Sequence, residues 1–248
     1  MSDTVKLIDD GDGVYTLHMQ DAANQNIFSN EFVDAVLGRL NEFNAIDTAK
    51  VLILRGLPDV FAAGADKESL VALAEGRFHV KDLIISEKLL ETNVPVIAAM
   101  EGHAVGGGLV MALCSDVIIM AEESRYGVNF MQMGFTPGMG CTRLLQLLVG
   151  PYIANEMMFT GARLKGRHFQ NLVQVNYVLP APKVFDKAMK LAQHMAEKPR
   201  AALEYLKYSV TLPKRQALQE ARVHEDFMHR LTFAAPGMRE RINELYVE

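Results

Sequence analysis

Cysteine is scarce in this sequence of 248 residues, and the scarcity excludes both a disulfide-stapled miniprotein and a cysteine-rich metal domain. The two cysteines, Cys114 and Cys141, lie in unrelated contexts. Neither belongs to a C-x-x-C pair, and no histidine-rich tract accompanies them to complete a zinc site. We therefore expect a reducing compartment and no structural metal.

An excess of basic charge is also missing. The chain has 25 lysines and arginines against 30 aspartates and glutamates, which gives a formal net charge of −5. Nothing in this balance attracts nucleic acid by bulk charge. The first 13 residues are acidic and lack an apolar run, so we expect no secretory signal and a cytoplasmic protein.

One apolar run, residues 96–121, has the length of a membrane span but not its composition. It contains Glu101, His103 and Asp116, and each ionisable group at mid-membrane would cost about 2.5–3.5 kcal/mol. It also contains three consecutive glycines at 106–108. The run is better interpreted as strand, glycine turn, helix and strand.

The hydrophobic pattern predicts an α/β fold up to residue 182, because buried strands alternate with helices that can cross over between them. Beyond Pro180 and Pro182 only helices are predicted. We therefore divide the chain into an α/β core, 1–182, and a helical region, 183–248, suited to contacts between subunits. The predicted strands are 5–8, 14–19, 51–54, 96–100, 117–120 and 173–178, and the predicted helices are 30–43 (capped by Asn30), 67–73, 80–91, 107–114, 142–149, 184–196, 199–211, 214–233 and 238–246.

Two loops rich in glycine and alanine, 61–66 and 106–108, each join a buried strand to a helix. Residues this small let a ligand approach the backbone closely. The amides of Ala65 and Gly107 would then donate to one carbonyl oxygen that becomes negative during a reaction, which is an oxyanion hole. For one loop alone, turn geometry is an equally good explanation. The two loops together favour a catalytic site.

Three motifs carry a family resemblance: Phe61-Ala-Ala-Gly-Ala-Asp66, Pro95-Val-Ile-Ala-Ala-Met-Glu-Gly-His-Ala-Val-Gly-Gly-Gly108 and Gly134-Phe-Thr-Pro-Gly138. In order and spacing they resemble the crotonase (enoyl-CoA hydratase/isomerase) superfamily. The resemblance implies a spiral of ββα units, a helical C-terminal region used in trimer packing, and acyl-thioester substrates. It also places Ala65 and Gly107 at the oxyanion-hole positions, and Ala63 where a backbone carbonyl meets the adenine of coenzyme A.

A hydratase of this superfamily needs two carboxylates that position and deprotonate water. The matching positions here are Val110 and Phe130, which can do neither. Ordinary hydration is therefore disfavoured. Loss of CO2 from a thioester that carries its own carboxylate fits better, because it pushes electrons into a dienolate that two amides stabilise. Val110 and Phe130 would then form apolar walls, where two glutamates would repel the substrate.

A narrower resemblance supports this reading. Val128-Asn-Phe-Met-Gln-Met-Gly-Phe-Thr-Pro-Gly-Met-Gly140 and Met228-His-Arg-Leu-Thr-Phe233 resemble the decarboxylating crotonases of polyketide β-branching cassettes. Those relatives act on a 3-methylglutaconyl group held on an acyl carrier protein. The resemblance makes His229 a catalytic candidate that holds the substrate carboxylate or delivers a proton. It implies no metal or redox cofactor, only a substrate on phosphopantetheine or coenzyme A.

The sequence leaves alternative roles open for several of these residues. A partly exposed histidine on a long helix is the plain alternative for His229, and His224, five residues away, cannot share a metal ion with it. Lys67 is the nearest cation that could contact a carboxylate. Some relatives carry tyrosine and lysine on the helix after the first loop, whereas the matching positions here are Ser69 and Leu73.

Two rival functions remain. One is a hydratase or isomerase whose acid and base have moved to Asp66, Glu68 or Glu101, and the other is a non-catalytic thioester-binding protein.

Cys141 lacks a nearby base that would make it a nucleophile, and His103 is interpreted as a loop-packing residue. We expect a homotrimer or hexamer that binds an acyl carrier protein or coenzyme A thioester.

Overall fold

The computed structural model describes residues 3–77, 84–170 and 175–246. The strands are β1 Val5–Gly11, β2 Val14–Met19, β3 Ile27–Phe28, β4 Val51–Arg55, β5 Val60–Ala62, β6 Gly64–Ala65, β7 Val96–Met100, β8 His103–Val105, β9 Val117–Ala121, β10 Arg125–Gly127, β11 Arg163–Lys165 and β12 Tyr177–Leu179. The α-helices are α1 Asn30–Asn44, α2 Lys67–Ala74, α3 Ile85–Leu90, α4 Gly107–Leu113, α5 Phe130–Met133, α6 Cys141–Val149, α7 Pro151–Thr160, α8 Gly166–Phe169, α9 Val184–Ala196, α10 Arg200–Val210, α11 Leu212–Phe233 and α12 Met238–Leu245.

The largest sheet has six strands in the order β1-β2-β4-β7-β9-β12. Strands β1 and β2 form the predicted antiparallel hairpin. From β2 onward every pair in this sheet is parallel, and β4, β7 and β9 are apolar along almost their whole length. Such continuous apolar strands are typical of a parallel sheet that is covered on both faces.

The chain follows one local path three times. After β4, β7 and β9 it enters a short strand of a second sheet, β5, β8 or β10, and then continues into a helix. The second sheet has the order β11-β10-β8-β5, and β5, β8 and β10 run parallel. These repeated ββα turns form the spiral α/β fold that the family resemblance implies, so the predicted fold class is confirmed.

Alternate side chains of the main sheet enter different clusters. Leu52 and Leu54 belong to the main core, which α1, α3, α4 and α6 also line. Val51 and Ile53 point to the other face, where they pack against α9. The alternation is the ordinary two-residue period of a strand. Helix α9 contributes the small residues Ala188, Ala192 and Ala196 to this contact, one per helical turn.

The described chain is helical after residue 183, which is where the sequence predicts a change of character. Helix α9 nevertheless packs on the main sheet, and Arg200 and Lys50 bind the two parts together. The Arg200 guanidinium donates to the Ala49 carbonyl at 2.8 Å, and the Lys50 ammonium donates to the Ala196 carbonyl at 2.7 Å. The type of secondary structure therefore changes near residue 182, while the two parts of the chain pack against each other across a shared interface.

Several predicted boundaries need correction. Ser29, not Asn30, caps α1, because its extended backbone lets its hydroxyl accept from the Phe32 amide at 3.2 Å. Helix α11 begins at Leu212 rather than Lys214, since proline is tolerated in a first helical turn. The predicted helix 80–91 is described only as α3, and residues 78–83 lie outside the described chain. The same holds for 171–174 in the predicted strand 173–178, which is described as β12.

Across the described ranges, no helix combines the length and apolar character needed to span a membrane. The run 96–121 instead contains β7, β8, α4 and β9 in succession. The predicted strand, helix and strand are present, and the short strand β8, which was not predicted, precedes the glycine turn.

A buried ion pair attaches α10 to the sheet. The Lys207 side chain is 1% exposed, and its ammonium lies 2.6 Å from the Asp116 carboxylate. The same carboxylate oxygen accepts from the Val96 amide at 2.8 Å, at the start of β7. Removing the lysine would leave this carboxylate without its nearest cation.

We expect Lys207→Ala to lower the free energy of unfolding by about 3 kcal/mol, because breaking a buried pair leaves one uncompensated charge. Urea unfolding at matched protein concentration measures the change. Lys198→Ala is the control, since the Lys198–Glu197 pair is exposed and screened by solvent, so that its loss should change the free energy of unfolding little. Equal effects of the two substitutions would contradict the assigned role of Lys207.

Candidate active site

The two glycine-rich loops predicted from the sequence are in direct contact. Strand β6 pairs with β3, so that Ala65 lies opposite Phe28. A Cβ atom added to Gly64 would lie 3.2 Å from the Gly107 amide nitrogen, and one added to Gly108 would lie 2.1 Å from the Ala62 carbonyl oxygen. Gly64 also has a positive φ of 84°. Only glycine satisfies these positions, and the contact brings the Ala65 strand against the first residue of α4.

Ala65 and Gly107 line the same cleft, which encloses about 610 Å³ including its open mouth. Gly107 is the first residue of α4, where an amide has no acceptor within its own helix. Phe130 and His229 line this cleft too. The described lining residues are Phe28, Asn30, Val33, Ala65, Ser69, Leu70, Leu73, Gly107, Phe130, Phe135, Gly138, Met139 and His229.

Three predicted site residues are not among these lining residues. Val110 is fully buried in the main core, one turn into α4. Lys67 is the first residue of α2 and is half-buried, and Ala63 lies half-buried between β5 and β6. The structure therefore brings together Ala65, Gly107, Phe130 and His229, and leaves these three outside the described wall.

The cleft is apolar. Among its described lining residues there is no aspartate, glutamate, lysine or arginine, and His229 is the one ionisable side chain. Ser69 and Leu73, where some relatives carry tyrosine and lysine, both line it. A charged ligand group entering here would exchange water for hydrocarbon, and His229 would be the ionisable side chain available to it.

His229 is buried, at 5% exposure, so the alternative of a partly exposed helix histidine is wrong. Its ring packs against Phe135 and Phe233, with centroid separations of 5.9 and 5.2 Å. Neither ring nitrogen has a hydrogen-bond partner of good geometry within the described chain. Because His229 lines the cleft, a ligand group bound there would be placed to supply the missing partner.

The surroundings of the ring decide its charge. Burial lowers the pKa of His229 to about 4, although the nearby backbone of Pro137 and Thr136 and the Asp226 carboxylate act in the opposite direction. The imidazole is therefore neutral near pH 7, with one nitrogen able to donate and the other able to accept. Asp226 lies one turn earlier on α11 and pairs with Arg230 at 2.9 Å.

Three residues that line the cleft, Phe28, Phe135 and Met139, were not predicted from the sequence. Phe28 comes from β3, and its place depends on pairing with β6. Phe135 and Met139 belong to a motif that the resemblance identified, but nothing in the motif assigned them a contact. Met139 has a left-handed backbone, with φ of 65°, and its sulfur lies 2.9 Å from where a Cβ of Gly107 would be.

The carboxylates considered as relocated acids or bases are occupied elsewhere or exposed. Asp66 caps α2 by accepting from the Ser69 amide at 2.6 Å, and Glu101 forms an ion pair with Arg55 at 2.7 Å. Glu68 is exposed on α2. These three residues are also absent from the described cleft wall. An acid and a base suited to hydration are therefore not found among the described lining residues.

Two further candidates have structural places. Burial raises the pKa of the Cys141 thiol well above its usual range, and the Glu225 charge adds to the effect, so the thiol is not an activated nucleophile. The His103 ring is exposed and its Nδ1 accepts from the Arg125 amide at 2.9 Å, which is a loop-packing contact. In the ranges that the structure covers, histidine, cysteine, aspartate and glutamate form no group of three suited to a metal ion.

Known proteins resemble this chain over its whole length. The profile of the family described as enoyl-CoA hydratase/isomerase matches residues 9–248. Bacillaene synthase decarboxylase PksI of Bacillus subtilis (strain 168) is 36% identical over 242 residues, which are 98% of this chain and 97% of that protein.

Two solved structures are similarly close. One, from a dehydratase/decarboxylase enzyme couple involved in polyketide beta-branching, superposes with a TM-score of 0.95 at 35% identity and covers 99% of this chain and 100% of its own. The ECH2 decarboxylase domain of CurF from Lyngbya majuscula gives a TM-score of 0.90 at 31% identity, with coverage of 99% and 100%.

The neutral state of His229 predicts a pH dependence of stability. Because its folded pKa lies below the ordinary value of 6.5, the unfolded chain takes up the proton first as the pH falls. Between about pH 7 and pH 4, this histidine should therefore lower the free energy of unfolding by about 3 kcal/mol. His229→Leu should lack that contribution.

Denaturant unfolding of wild type and variant at both pH values measures the difference. His224→Leu is the matched control on the same helix, with an exposed ring, and should keep the wild-type pH dependence because His229 is intact. Parallel pH profiles of wild type and His229→Leu would show that the ring is not desolvated.

Proposed function

Because the chain belongs to the enoyl-CoA hydratase/isomerase family, as its motifs predict, we propose that it decarboxylates a 3-methylglutaconyl-type thioester on an acyl carrier protein during polyketide β-branching. One observation carries the choice of reaction within the family. Ala65 and Gly107, whose amides are the proposed oxyanion-hole donors, both line the cleft, and His229 is the one ionisable side chain in its described wall. Its relatives PksI and CurF ECH2 are decarboxylases by name.

The reaction begins with the thioester carbonyl on the Ala65 and Gly107 amides and the substrate carboxylate beside His229. An anion next to the imidazole raises its pKa above the value in the free protein, so the ring takes up a proton and pairs with the carboxylate. The bond between the carboxylate carbon and the adjacent methylene then breaks. Its electron pair moves through the conjugated double bond to the carbonyl oxygen, giving neutral CO2 and a dienolate held by the two amides.

Protonation completes the reaction. The imidazolium of His229 delivers its proton to the α or γ carbon of the dienolate and returns to the neutral state, which restores the starting enzyme. The balance is one carboxylate and one proton consumed and one CO2 formed, with a 3-methylcrotonyl thioester after protonation at the γ carbon or its βγ-unsaturated isomer after protonation at the α carbon. Phe130 and Phe135 supply an apolar wall that keeps water, and therefore a competing proton source, away from the dienolate.

No step in this sequence needs a metal or a redox cofactor, since the substrate supplies its own leaving group. The carrier is phosphopantetheine in either case, on a protein or in coenzyme A. Ala63 is proposed to meet the adenine, a contact that only the coenzyme A form makes. Comparing kcat/KM for the two forms of the same acyl group identifies the physiological carrier.

The experiment that tests the function follows the mass of 3-methylglutaconyl carrier protein during incubation with the purified protein. Loss of CO2 supports decarboxylation. Gain of water would instead establish a hydratase, and an unchanged acyl mass under saturating protein would establish a thioester-binding protein without this activity. Either of these two outcomes overturns the proposal.

We predict that His229→Ala lowers kcat by about 10²- to 10⁴-fold, because proton transfer by a positioned side chain contributes that much. Single-turnover mass spectrometry of the carrier-bound acyl group measures the rate. His224→Ala, on the exposed side of the same helix, should leave the rate at the wild-type value. Undiminished turnover by His229→Ala, with the variant folded, would remove His229 from the mechanism.

We also propose that the helical region mediates homo-oligomerisation into a trimer or hexamer. Helix α11 buries one face within the chain, including Leu218, His229 and Phe233. Its opposite face exposes Val223, Phe227 and Leu231, one residue per turn, at 72%, 65% and 61% exposure. A stripe of large apolar side chains is typical of a surface that another protein covers.

Phe227→Glu should shift the protein towards smaller species, because the stripe would have to bury a charge. Light scattering coupled to size exclusion measures the mass. Asn41→Glu adds the same charge to the exposed face of α1 and should leave the mass unchanged. A wild-type protein that is monomeric at micromolar concentration would contradict oligomerisation through α11.

A further inference from the structure

Helix α11 carries a second buried ionisable residue besides His229. Glu225 is 1% exposed and lies one turn before His229 on the same buried face. Four residues of helix separate the two along the axis by about 6 Å. A buried carboxylate is costly without partners, so its contacts indicate what it is for.

The partners of Glu225 are Gly140, which directly precedes α6, and Thr142 in the first turn of α6. One carboxylate oxygen accepts from the Gly140 amide at 2.6 Å, and the other accepts from the Thr142 amide and hydroxyl, both at 2.8 Å. Burial raises the pKa of the Glu225 carboxyl, while these donors favour its charged form. An ionised carboxylate is the acceptor that such a set of donors suits best.

The loop held in this way forms part of the cleft wall. Gly138 and Met139 line the cleft, and Gly140 follows them directly. Both Met139 and Gly140 have left-handed backbones, with φ of 65° and 94°. For a methionine this conformation is unfavourable because its Cβ crowds the following carbonyl oxygen, and it persists because the peptide group that follows it is held by hydrogen bonds at both its carbonyl and its amide. The Met139 carbonyl accepts from the buried Ser86 hydroxyl at 3.0 Å, and the Gly140 amide donates to Glu225.

Met139 in turn packs on the glycine turn 106–108. Its sulfur lies 2.9 Å from the position that a Cβ of Gly107 would occupy. A continuous series of contacts therefore runs from His229 along α11 to Glu225, through Gly140 and Met139, to Gly107. Helix α11 also touches this loop through Leu218, whose Cδ1 lies 2.5 Å from where a Cβ of Gly140 would be.

We propose that Glu225 is a positioning residue that sets the separation between His229 and the oxyanion-hole amide of Gly107. The inference rests on the proposed function, in which these two groups act on opposite ends of one substrate. A shift of about 1 Å between such groups lowers the rate by up to about 10²-fold while leaving binding largely intact. Glu225 itself is not among the described residues that line the cleft.

Glu225→Gln tests this role, because its amide group must face one of the donors and so deprives either Gly140 or Thr142 of an acceptor. We expect kcat to fall by about ten- to 100-fold, with KM within about twofold of wild type. Glu220→Gln is the matched control: the same change on the same helix, at an exposed residue that also binds α6, through Arg143 at 2.9 Å. It should leave both constants unchanged.

A second measurement does not depend on turnover. In protein labelled with ¹³C-histidine, the ring resonances and pKa of His229 should change in Glu225→Gln and not in Glu220→Gln. If the wild type proves unable to decarboxylate, the proposed function fails, but this spectrum still decides whether Glu225 positions His229.

The structural alternative is that Glu225 only caps α6. In that case Glu225→Gln lowers the melting temperature while kcat and the His229 resonances stay at wild-type values, and the proposal is overturned. If Glu225→Gln does not fold, Thr142→Ala replaces it as the test, because it removes only the hydroxyl donor. A smaller fall in kcat at constant KM then supports the proposal, and an unchanged kcat overturns it.

Discussion

The close contact between strand β6 and the first residue of α4 is the constraint on which the rest of the site depends. It exists because Gly64, Gly107 and Gly108 have no side chains, so that backbone from two separate ββα turns can meet at van der Waals distance. Any larger residue at Gly108 would collide with the Ala62 carbonyl at 2.1 Å. The spiral fold brings the loops to the same place, and the glycines let them touch.

Around this contact the described cleft wall is distinguished by its lack of carboxylates, and His229 is its one ionisable side chain. A hydratase needs carboxylates to hold and activate water, whereas a decarboxylase needs the substrate anion to lose its charge. The proposed pair of amides would serve both reactions, since both pass through a negative thioester oxygen. The reaction is therefore selected by the wall, where Phe28, Phe130 and Phe135 stand and no carboxylate is found among the described residues.

The lack of polar side chains in the cleft wall has a free-energy cost at His229. Both ring nitrogens are buried without a hydrogen bond of good geometry in the described chain, although the backbone of Thr136 and Pro137 lies close to the ring. An unsatisfied buried polar group costs about 1–3 kcal/mol. The fold maintains this arrangement through α11, whose Leu218 and Glu225 contact the loop beside α6. The exposed stripe of the same helix faces away from the chain, so α11 lies between the cleft and the surface proposed for contacts between subunits. One helix thus belongs to the site, the core and the proposed interface.

The sequence alone predicted the α/β class and the strands of the main sheet, because apolar runs are local signals, and it singled out Ala65 and Gly107, which both line the cleft. It did not predict the short strands β3, β5, β6, β8, β10 and β11 or the helices α5, α7 and α8. It also showed the loss of the hydratase carboxylates, since Val110 and Phe130 occupy identifiable motif positions. Only the tertiary structure decided that Phe130 lines the cleft while Val110 lies in the core, and that His229 is buried between Phe135 and Phe233. The reason is physical. Helical periodicity tells which residues share a face, but burial depends on what packs against that face, and here Phe28, Met139 and Glu225 come from segments far apart in the chain.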